Sequence, residues 1–140
     1  MCFDTNALIY FLNRIQPYAG FVEGLLRGVR DGTRYAVVSV VTELELVVQP
    51  IRLGLIPEVE RVEALLRAPG FQVAPLDRVT AKSAAEVRAR HGIELADATI
   101  VATSLHMDCD FIIGNDRRCA RRIREIPYVL LDQLVKEQSS

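Results

Sequence analysis

The chain has few residues of the kinds that build a disulfide framework or a zinc site. It contains three cysteines, Cys2, Cys109 and Cys119, and two histidines, His91 and His106. An odd number of cysteines without a C-x-x-C pair argues against a disulfide framework and for a reducing compartment. The spacing of these residues also fits no zinc motif. We therefore expect the three cysteines to be small buried side chains.

Long apolar runs and a large net charge are also missing. No apolar stretch reaches the ~20 residues that span a bilayer, and Asp4 lies where a signal peptide would be apolar. A soluble cytoplasmic protein is expected. The net charge of −1 means that contact with nucleic acid requires a local basic patch. The length predicts one domain over residues 1–140, and an apolar content of 50% can fill one core.

Apolar strand patterns alternate with helical patterns along the chain. Strands are predicted at residues 1–3, 35–39, 71–75, 111–113 and 128–131. Helices are predicted at residues 6–13, 18–30, 58–67, 97–107 and 116–124, with a connector at 50–57 and a terminal helix from residue 132. A further helix ends at residue 48 and has Ser39 or Thr42 as its N-cap, and another ends near residue 90 and has Asp77 or Thr80 as its N-cap. This alternation predicts an α/β fold with a central, mainly parallel sheet of four to five strands and helices on both faces.

Two aspartates follow predicted strands directly. Asp4 ends the first strand, and Asp116 follows the fourth strand through Gly114 and Asn115. Ligands of open α/β sheets bind at the carboxyl ends of the strands, which makes both aspartates candidate site residues. Either residue could instead be a helix N-cap, and the two roles are compatible.

Two further acids lie on predicted helices. Glu45 is the last residue of a Thr42-x-x-Glu45 pattern that also fits a capping box. Glu43 lies about 200° around the helix from Glu45, so both cannot face one site. Asp97 begins an apolar helix. Its carboxylate either is stabilised in the first turn by the helix dipole or faces a polar cleft. Glu94, one turn earlier, is expected to be mainly solvated.

Converging carboxylates imply a bound cation. At separations of ~4 Å they repel each other and become partly protonated, whereas Mg²⁺ or Mn²⁺ takes oxygen ligands and removes the conflict. Such an ion lowers the pKa of a bound water, orients a phosphate and stabilises a leaving oxyanion. Phosphodiester hydrolysis then needs no Ser, Cys or His nucleophile.

Four blocks of the sequence carry a family resemblance. They are Asp4-Thr5-Asn6-Ala7-Leu8-Ile9, Ser39-Val40-Val41-Thr42-Glu43-Leu44-Glu45-Leu46, Leu95-Ala96-Asp97-Ala98-Thr99-Ile100-Val101-Ala102-Thr103 and Asn115-Asp116-Arg117. In this order they resemble the PIN-domain family, in particular the VapC-type ribonuclease toxins of toxin–antitoxin pairs. The resemblance implies a three-layer α/β/α fold, a Mg²⁺ or Mn²⁺ site and cleavage of single-stranded RNA. It selects Glu45 over Glu43 and implies a set of catalytic and metal-binding acids: Asp4, Glu45, Asp97 and Asp116.

One position departs from the family pattern. Gly114 stands where these proteins often have a Thr or Ser hydroxyl. The departure puts a hydrogen bond to a metal-bound water in question.

Two other regions are candidate contact surfaces. Five arginines crowd residues 117–124, where they could bind phosphates or an acidic antitoxin segment. The substrate-binding candidates are Asn6, Asn115, Arg117, Arg118 and Arg121. Apolar residues within 51–66 either pack over the sheet edge or form a groove for an antitoxin helix or a dimer contact.

The favoured hypothesis is a metal-dependent endoribonuclease that is the toxin of a type II toxin–antitoxin system. Its expected partners are RNA and an antitoxin, with a homodimer as a further option and no membrane. The alternative is a non-catalytic PIN scaffold that binds RNA or a protein. A phosphatase with Asp4 as its nucleophile is disfavoured, because Asn6 stands where a second acid would be needed.

Overall fold

Five short strands alternate with eight helices in residues 1–139, the part of the chain that the computed structural model describes. The strands are β1 (Cys2–Phe3), β2 (Ala36–Ser39), β3 (Phe71–Ala74), β4 (Ile112–Gly114) and β5 (Tyr128–Leu130). The helices are α1 (Thr5–Leu12), α2 (Tyr18–Arg30), α3 (Val40–Arg52), α4 (Ile56–Leu66), α5 (Arg78–His91), α6 (Leu95–His106), α7 (Arg117–Arg122) and α8 (Leu131–Ser139).

The strands form one parallel sheet in the order β3-β2-β1-β4-β5. The chain first builds outward from β1 on one side and then crosses to the other side to add β4 and β5. The strand order therefore reverses between β1 and β4, where doubly wound sheets have their ligand crevice. The predicted parallel sheet of four to five strands is confirmed, with five strands.

Two hydrophobic cores lie on opposite faces of the sheet, because successive strand residues point to opposite sides. Phe3 and Ile113 belong to one core, which is covered by α1 to α4 and α8. Cys2 and Ile112 belong to the other core, which is covered by α5 to α7. The predicted three-layer α/β/α arrangement is thus confirmed.

Helix caps explain where several helices begin. Asp4, Ser39, Asp77 and Asp116 are extended residues whose side chains accept backbone N–H bonds at the starts of α1, α3, α5 and α7. Each helix therefore begins one residue after a polar side chain. At the other end of α5, Gly92 has a φ of 62°, a left-handed angle that glycine adopts without strain.

The predicted connector at residues 50–57 is wrong at its beginning. α3 continues through Pro50 to Arg52. Pro50 lies in the last turn, where its missing N–H removes a single intrahelical bond, and its own carbonyl accepts from Leu55 N. α4 then begins at Ile56 with a proline in its first turn, a position where no helical bond is lost.

The cysteines are free thiols, and Cys2 and Cys119 are buried as expected, whereas Cys109 is only half-buried. Among the described residues, no helix has both the length and the apolar character that crossing a membrane requires.

Candidate active site

Asp4 and Asp116 lie on the two sides of the crevice between β1 and β4. Asp4 is 5% exposed. Its Oδ1 accepts from Thr5 N at 2.7 Å, and its Oδ2 accepts from the Tyr128 hydroxyl at 2.5 Å. Asp116 Oδ1 accepts from Cys119 N at 3.0 Å. Both aspartates are helix caps, and the structure also brings both to the sheet edge that the strand order selects for ligands.

Glu45 reaches the same region from α3. The capping-box interpretation is wrong, because Ser39 caps α3 and Thr42 is a buried residue within its first turn. The Thr42 and Thr5 hydroxyls lie 3.0 Å apart, and Thr5 donates to Glu45 Oε1 at 2.6 Å. This chain of hydroxyls holds Glu45 against the start of α1, next to Asp4.

Asp97 lies in the first turn of α6 and is half-buried. Burial is the main cause that raises its pKa to about 7, and repulsion by Asp4, Asp116 and Glu45 adds to the rise. The helix-dipole interpretation accounts for its position in the helix, but it does not account for these acidic neighbours. Glu94 is exposed, as expected.

Electrostatics link the four acids to one another. Burial raises the pKa of Asp4 to about 6, against the lowering effect of its bonds to Tyr128 and Thr5, and Asp116 and Glu45 raise it further. The buried Cys119 thiol lies among the same charges, since burial, Asp97, Asp4 and Asp116 all raise its pKa. The sheet edge therefore concentrates negative charge in a poorly hydrated place.

The donor set fits a hard divalent cation, because all four side chains offer carboxylate oxygens. Among residues 1–139, however, no three acidic, histidine or cysteine side chains are gathered closely enough to ligate one ion together. The four carboxylates are close enough to interact electrostatically, but they do not surround a common point. Which of them bind a metal stays a prediction.

The two asparagines predicted to contact substrate hold the neighbouring backbone together. Asn115 N donates to Asn6 Oδ1 at 3.1 Å, and Asp132 N donates to Asn115 Oδ1 at 3.0 Å. Asn115 Nδ2 also donates to the Tyr10 hydroxyl at 3.3 Å. These bonds join the loop after β4 to α1 and α8, so both amides have structural partners.

Sequence reasoning missed Tyr128, which stands at the first position of β5. Its hydroxyl donates to Asp4 and accepts from Asp116 N at 3.1 Å. The one sequence signal that bears on it is Gly114, because a missing hydroxyl at that position invites a search for another donor.

The arginines of α7 differ in how far they are engaged. Arg117 pairs with Asp132 at 3.0 Å, and Arg118 donates to the Gly92 carbonyl at 3.4 Å. Arg121 is exposed and has no hydrogen-bond or ion-pair partner for its guanidinium within residues 1–139. The remaining two donate to backbone carbonyls, Arg122 to His91 and Gly92, and Arg124 to Arg121 and Ile123.

An apolar groove of about 490 Å³ runs from Glu45 between α3 and α4. Its apolar lining comprises Ile9, Leu12, Leu46, Pro50, Leu53, Leu55 and Val62. Packing over the sheet explains Val62 and Leu66, which are buried, but it does not explain Leu53, which is 59% exposed. Residues 51–66 therefore contribute to a groove that lies next to the acids, in agreement with the second interpretation of this segment.

The fold is similar to that of three solved structures, although sequence identity is low. A toxin–antitoxin complex from Klebsiella pneumoniae matches with a TM-score of 0.72 and 19% identity, over 93% of this chain and 96% of that chain. VapBC2 from Rickettsia felis, bound to a promoter DNA fragment, gives 0.67 and 13%, over 92% and 96%. FitAcB from Neisseria gonorrhoeae gives 0.63 and 22%, over 93% and 96%. No curated protein matches the sequence.

A family model described as the PIN domain matches residues 1–126. The matched region contains Asp4, Glu45, Asp97 and Asp116, together with four of the five strands. Most of the sequence is covered by this match, and the chain belongs to the PIN domain family.

Proposed function

We propose that the chain is a metal-dependent endoribonuclease that hydrolyses RNA phosphodiester bonds as the toxin of a type II toxin–antitoxin system. The observation that carries the proposal is the concentration of four acids at one sheet edge, where the pKa of Asp4 rises to about 6 and that of Asp97 to about 7. PIN domains are generally nucleases that use divalent metal ions. We take residues 1–140 as one such nuclease domain.

The acids divide into two pairs in this proposal. Asp4 and Asp97 hold the principal ion, and Glu45 and Asp116 complete the site or assist a second ion. When bound, Mg²⁺ or Mn²⁺ supplies Lewis-acid stabilisation of charge on the phosphate oxygens and lowers the pKa of a water. A carboxylate has about four lone-pair sites, so the bonds already made by Asp4 and Asp116 leave acceptor capacity for an ion.

Proton transfer from the attacking water is assigned to Glu45, whose carboxylate is already held in place by Thr5. Glu45 Oε1 is held by Thr5, which leaves Oε2 as the oxygen that accepts a proton from the attacking water. Asp4 and Asp97 release their protons when the cation binds, because a positive charge favours their ionised forms.

The basic helix α7 supplies the substrate contact. Arg121 is the strongest candidate, because its exposed guanidinium has no partner among residues 1–139, and a free guanidinium binds phosphate oxygens in bidentate geometry. Arg117 and Arg118 are weaker candidates, since each must first leave a present contact. Asn6 and Asn115 would act on the substrate only through bonds beyond those they now make.

The expected partner is an antitoxin helix lying in the apolar groove. The groove opens beside Glu45 and exposes Leu53 and Leu55, a surface suited to an amphipathic helix. An occupant there would reach the acids, so binding and inhibition would be one event. The solved neighbours are themselves toxin–antitoxin complexes, which supports this kind of partner. The same groove could serve a homodimer.

A cleavage assay with purified protein tests the proposal. We expect cleavage of single-stranded RNA with Mn²⁺, loss of cleavage in EDTA and loss of cleavage in Asp4→Asn. Glu60→Gln, a change of an exposed acid on α4, is the matched control and should cleave like the wild type. Activity that survives both EDTA and Asp4→Asn would refute the proposal.

A non-catalytic PIN scaffold is the second candidate. It is favoured by the absence, within residues 1–139, of three potential ligands gathered around one point. Calorimetric titration with Mn²⁺ separates the two, because a scaffold shows no binding that depends on Asp4 or Asp97.

A further inference from the structure

Gly114, the last residue of β4, is a glycine because its surroundings leave no room for a side chain. Its backbone is not in the left-handed region, so conformation does not demand glycine. A Cβ added there would lie 2.6 Å from Asp4 Cβ and 3.0 Å from Asn6 Oδ1, and closer still to the Tyr128 hydroxyl. Since real Cβ atoms essentially never approach other atoms within 3.0 Å, any side chain at position 114 would displace its neighbours.

Tyr128 fills the space above Gly114. In the parallel register of β4 and β5, Tyr128 pairs with Ile112 and Leu130 pairs with Gly114. Residues two apart on a strand face the same side and rise about 3.3 Å per residue. The ring packs against the core beneath α5 to α7, and the hydroxyl reaches two residues further, to the carboxyl end of the sheet.

At that end the hydroxyl joins the two strand-end aspartates. It donates to Asp4 Oδ2 at 2.5 Å and accepts from Asp116 N at 3.1 Å. One oxygen thereby fixes the rotation of the Asp4 carboxylate and the position of the backbone that carries Asp116. The bond to Thr5 N fixes the other oxygen of Asp4, so the two bonds together define its plane.

We propose that the Tyr128 hydroxyl is the positioning group of this acidic site and occupies, from β5, the space that a side chain at position 114 would take. Gly114 and Tyr128 then form a matched pair, in which the absence of one side chain makes room for the other. The inference deepens the proposed function, because positioning Asp4 matters only where Asp4 binds an ion. Tyr128 does not touch the substrate or the ion and acts through Asp4 and Asp116.

The test compares Tyr128→Phe with the wild type. Phenylalanine keeps the ring and its packing and removes the hydroxyl alone. Loss of a group that orients a metal ligand commonly lowers metal affinity or activity by about 10- to 100-fold. We expect a fall of that size in Mn²⁺ affinity by calorimetry and a fall in kcat for RNA cleavage, with KM for RNA unchanged.

Two other tyrosines serve as controls. Tyr18→Phe also removes a hydroxyl that donates to a carboxylate, that of Asp132, and should leave Mn²⁺ affinity unchanged. Tyr35→Phe alters a side chain that is 71% exposed and should leave kcat unchanged. A purely structural role for Tyr128 predicts a lower melting temperature with unchanged Mn²⁺ affinity and unchanged kcat, and that result overturns the inference.

A metal-free crystal structure of Tyr128→Phe separates this inference from the proposed function. We expect the Asp4 carboxylate to rotate and the backbone at Asp116 to shift relative to the wild type. Unchanged positions of both would overturn the positioning role even if the wild type cleaves RNA. Conversely, a wild type that binds no Mn²⁺ would defeat the proposed function, and the crystal structures would still decide the role of Tyr128.

Discussion

The Thr5 hydroxyl donates to Glu45 Oε1 at 2.6 Å, across 40 positions of the sequence. The backbone N–H of the same threonine donates to Asp4 Oδ1 at 2.7 Å. Thr5 is therefore the residue through which the end of β1 and the second turn of α3 are held in register. Its two bonds orient two of the four acids at once.

Replacing Thr5 tests this link. Thr5→Val keeps the branched shape and loses the hydroxyl, so Glu45 loses its donor and the Thr42 hydroxyl loses its partner. We expect a loss of about 1 kcal/mol of unfolding free energy and roughly 10-fold weaker Mn²⁺ binding, measured by urea unfolding and by calorimetry. Thr5→Ser retains the hydroxyl and should stay close to the wild type in Mn²⁺ affinity. Equal affinities for all three proteins would contradict the assignment.

The order of elements and the sheet edge could be predicted from the sequence, because apolar patterns and capping residues are local. Asp4 and Asp116 follow strands in the sequence itself. Their position at the ligand-binding end of the sheet could therefore be predicted from the rule that ligands bind at the carboxyl ends of the strands. The role of Glu45 could not be derived in this way, since both a capping box and a site fit the same four residues. Ser39 as the N-cap of α3, with Thr42 already inside the first turn, decides against the capping box.

Tyr128 shows the limit of local reasoning. Nothing near it in the sequence indicates that its hydroxyl lies beside Asp4, because the contact depends on the register of β5 and on the empty space at Gly114. The arginines of α7 show the same limit. Spacing alone does not reveal that Arg117 is paired with Asp132, while the Arg121 guanidinium has no partner among residues 1–139.

The pH dependence of stability should carry the signature of Asp4. Its pKa in the folded protein is raised from 3.8 to about 6, mainly by burial. Between these values the folded state holds a proton that the unfolded chain has released, so stability falls as the pH rises through this window. A shift of this size corresponds to about 3 kcal/mol. Urea unfolding of metal-free protein at pH 4, 5, 6 and 7 measures the fall.

Asp4→Asn provides the reference for that measurement, because asparagine cannot ionise, whereas Asp97 and the other acids still titrate. The difference in unfolding free energy between the wild type and Asp4→Asn should grow with pH up to about pH 6 and then level off. A difference that stays constant from pH 4 to 7 would show that Asp4 titrates normally.

Asp97 should be a residue that costs stability in the absence of metal. Burial and four neighbouring acids raise its pKa to about 7, so its ionised form is disfavoured. We expect metal-free Asp97→Asn to melt at a higher temperature than the wild type at pH 8, and to lose the stabilisation that Mn²⁺ gives the wild type. Glu60→Gln should change neither quantity. If Asp97→Asn is less stable than the wild type in EDTA, then the Asp97 carboxylate stabilises the fold.

Arg121 should contribute to RNA affinity without contributing to the fold. Arg121→Ala removes one exposed positive charge, so binding of single-stranded RNA should weaken and the salt dependence of log K should become shallower by about 0.7. Fluorescence titration with the inactive Asp4→Asn protein as the background, at several salt concentrations, gives both quantities. A melting temperature equal to that of the background is expected. An unchanged salt slope would remove Arg121 from the interface.

A change in the groove between α3 and α4 should weaken antitoxin binding without affecting catalysis. Leu53→Lys places a charge on a side chain that is 59% exposed, so the fold and RNA cleavage should be preserved while an antitoxin helix would bind less well. Coexpression with the protein encoded by the adjacent reading frame, followed by affinity copurification, measures the loss. Leu76→Lys, on an apolar residue outside this groove that is 42% exposed, is the matched control. Equal copurification of both variants would place the partner elsewhere.

The central claim is that acids from distant parts of the chain bind one divalent cation, and a crystal structure grown with Mn²⁺ tests it most directly. Anomalous scattering locates the ion without assumptions about its ligands. The account predicts a Mn²⁺ peak at the carboxyl ends of β1 and β4, bound by Asp4 and Asp97 and approached by Glu45 and Asp116. Crystals soaked in excess Mn²⁺ that show no peak at this edge, or a peak held by other residues, would contradict it.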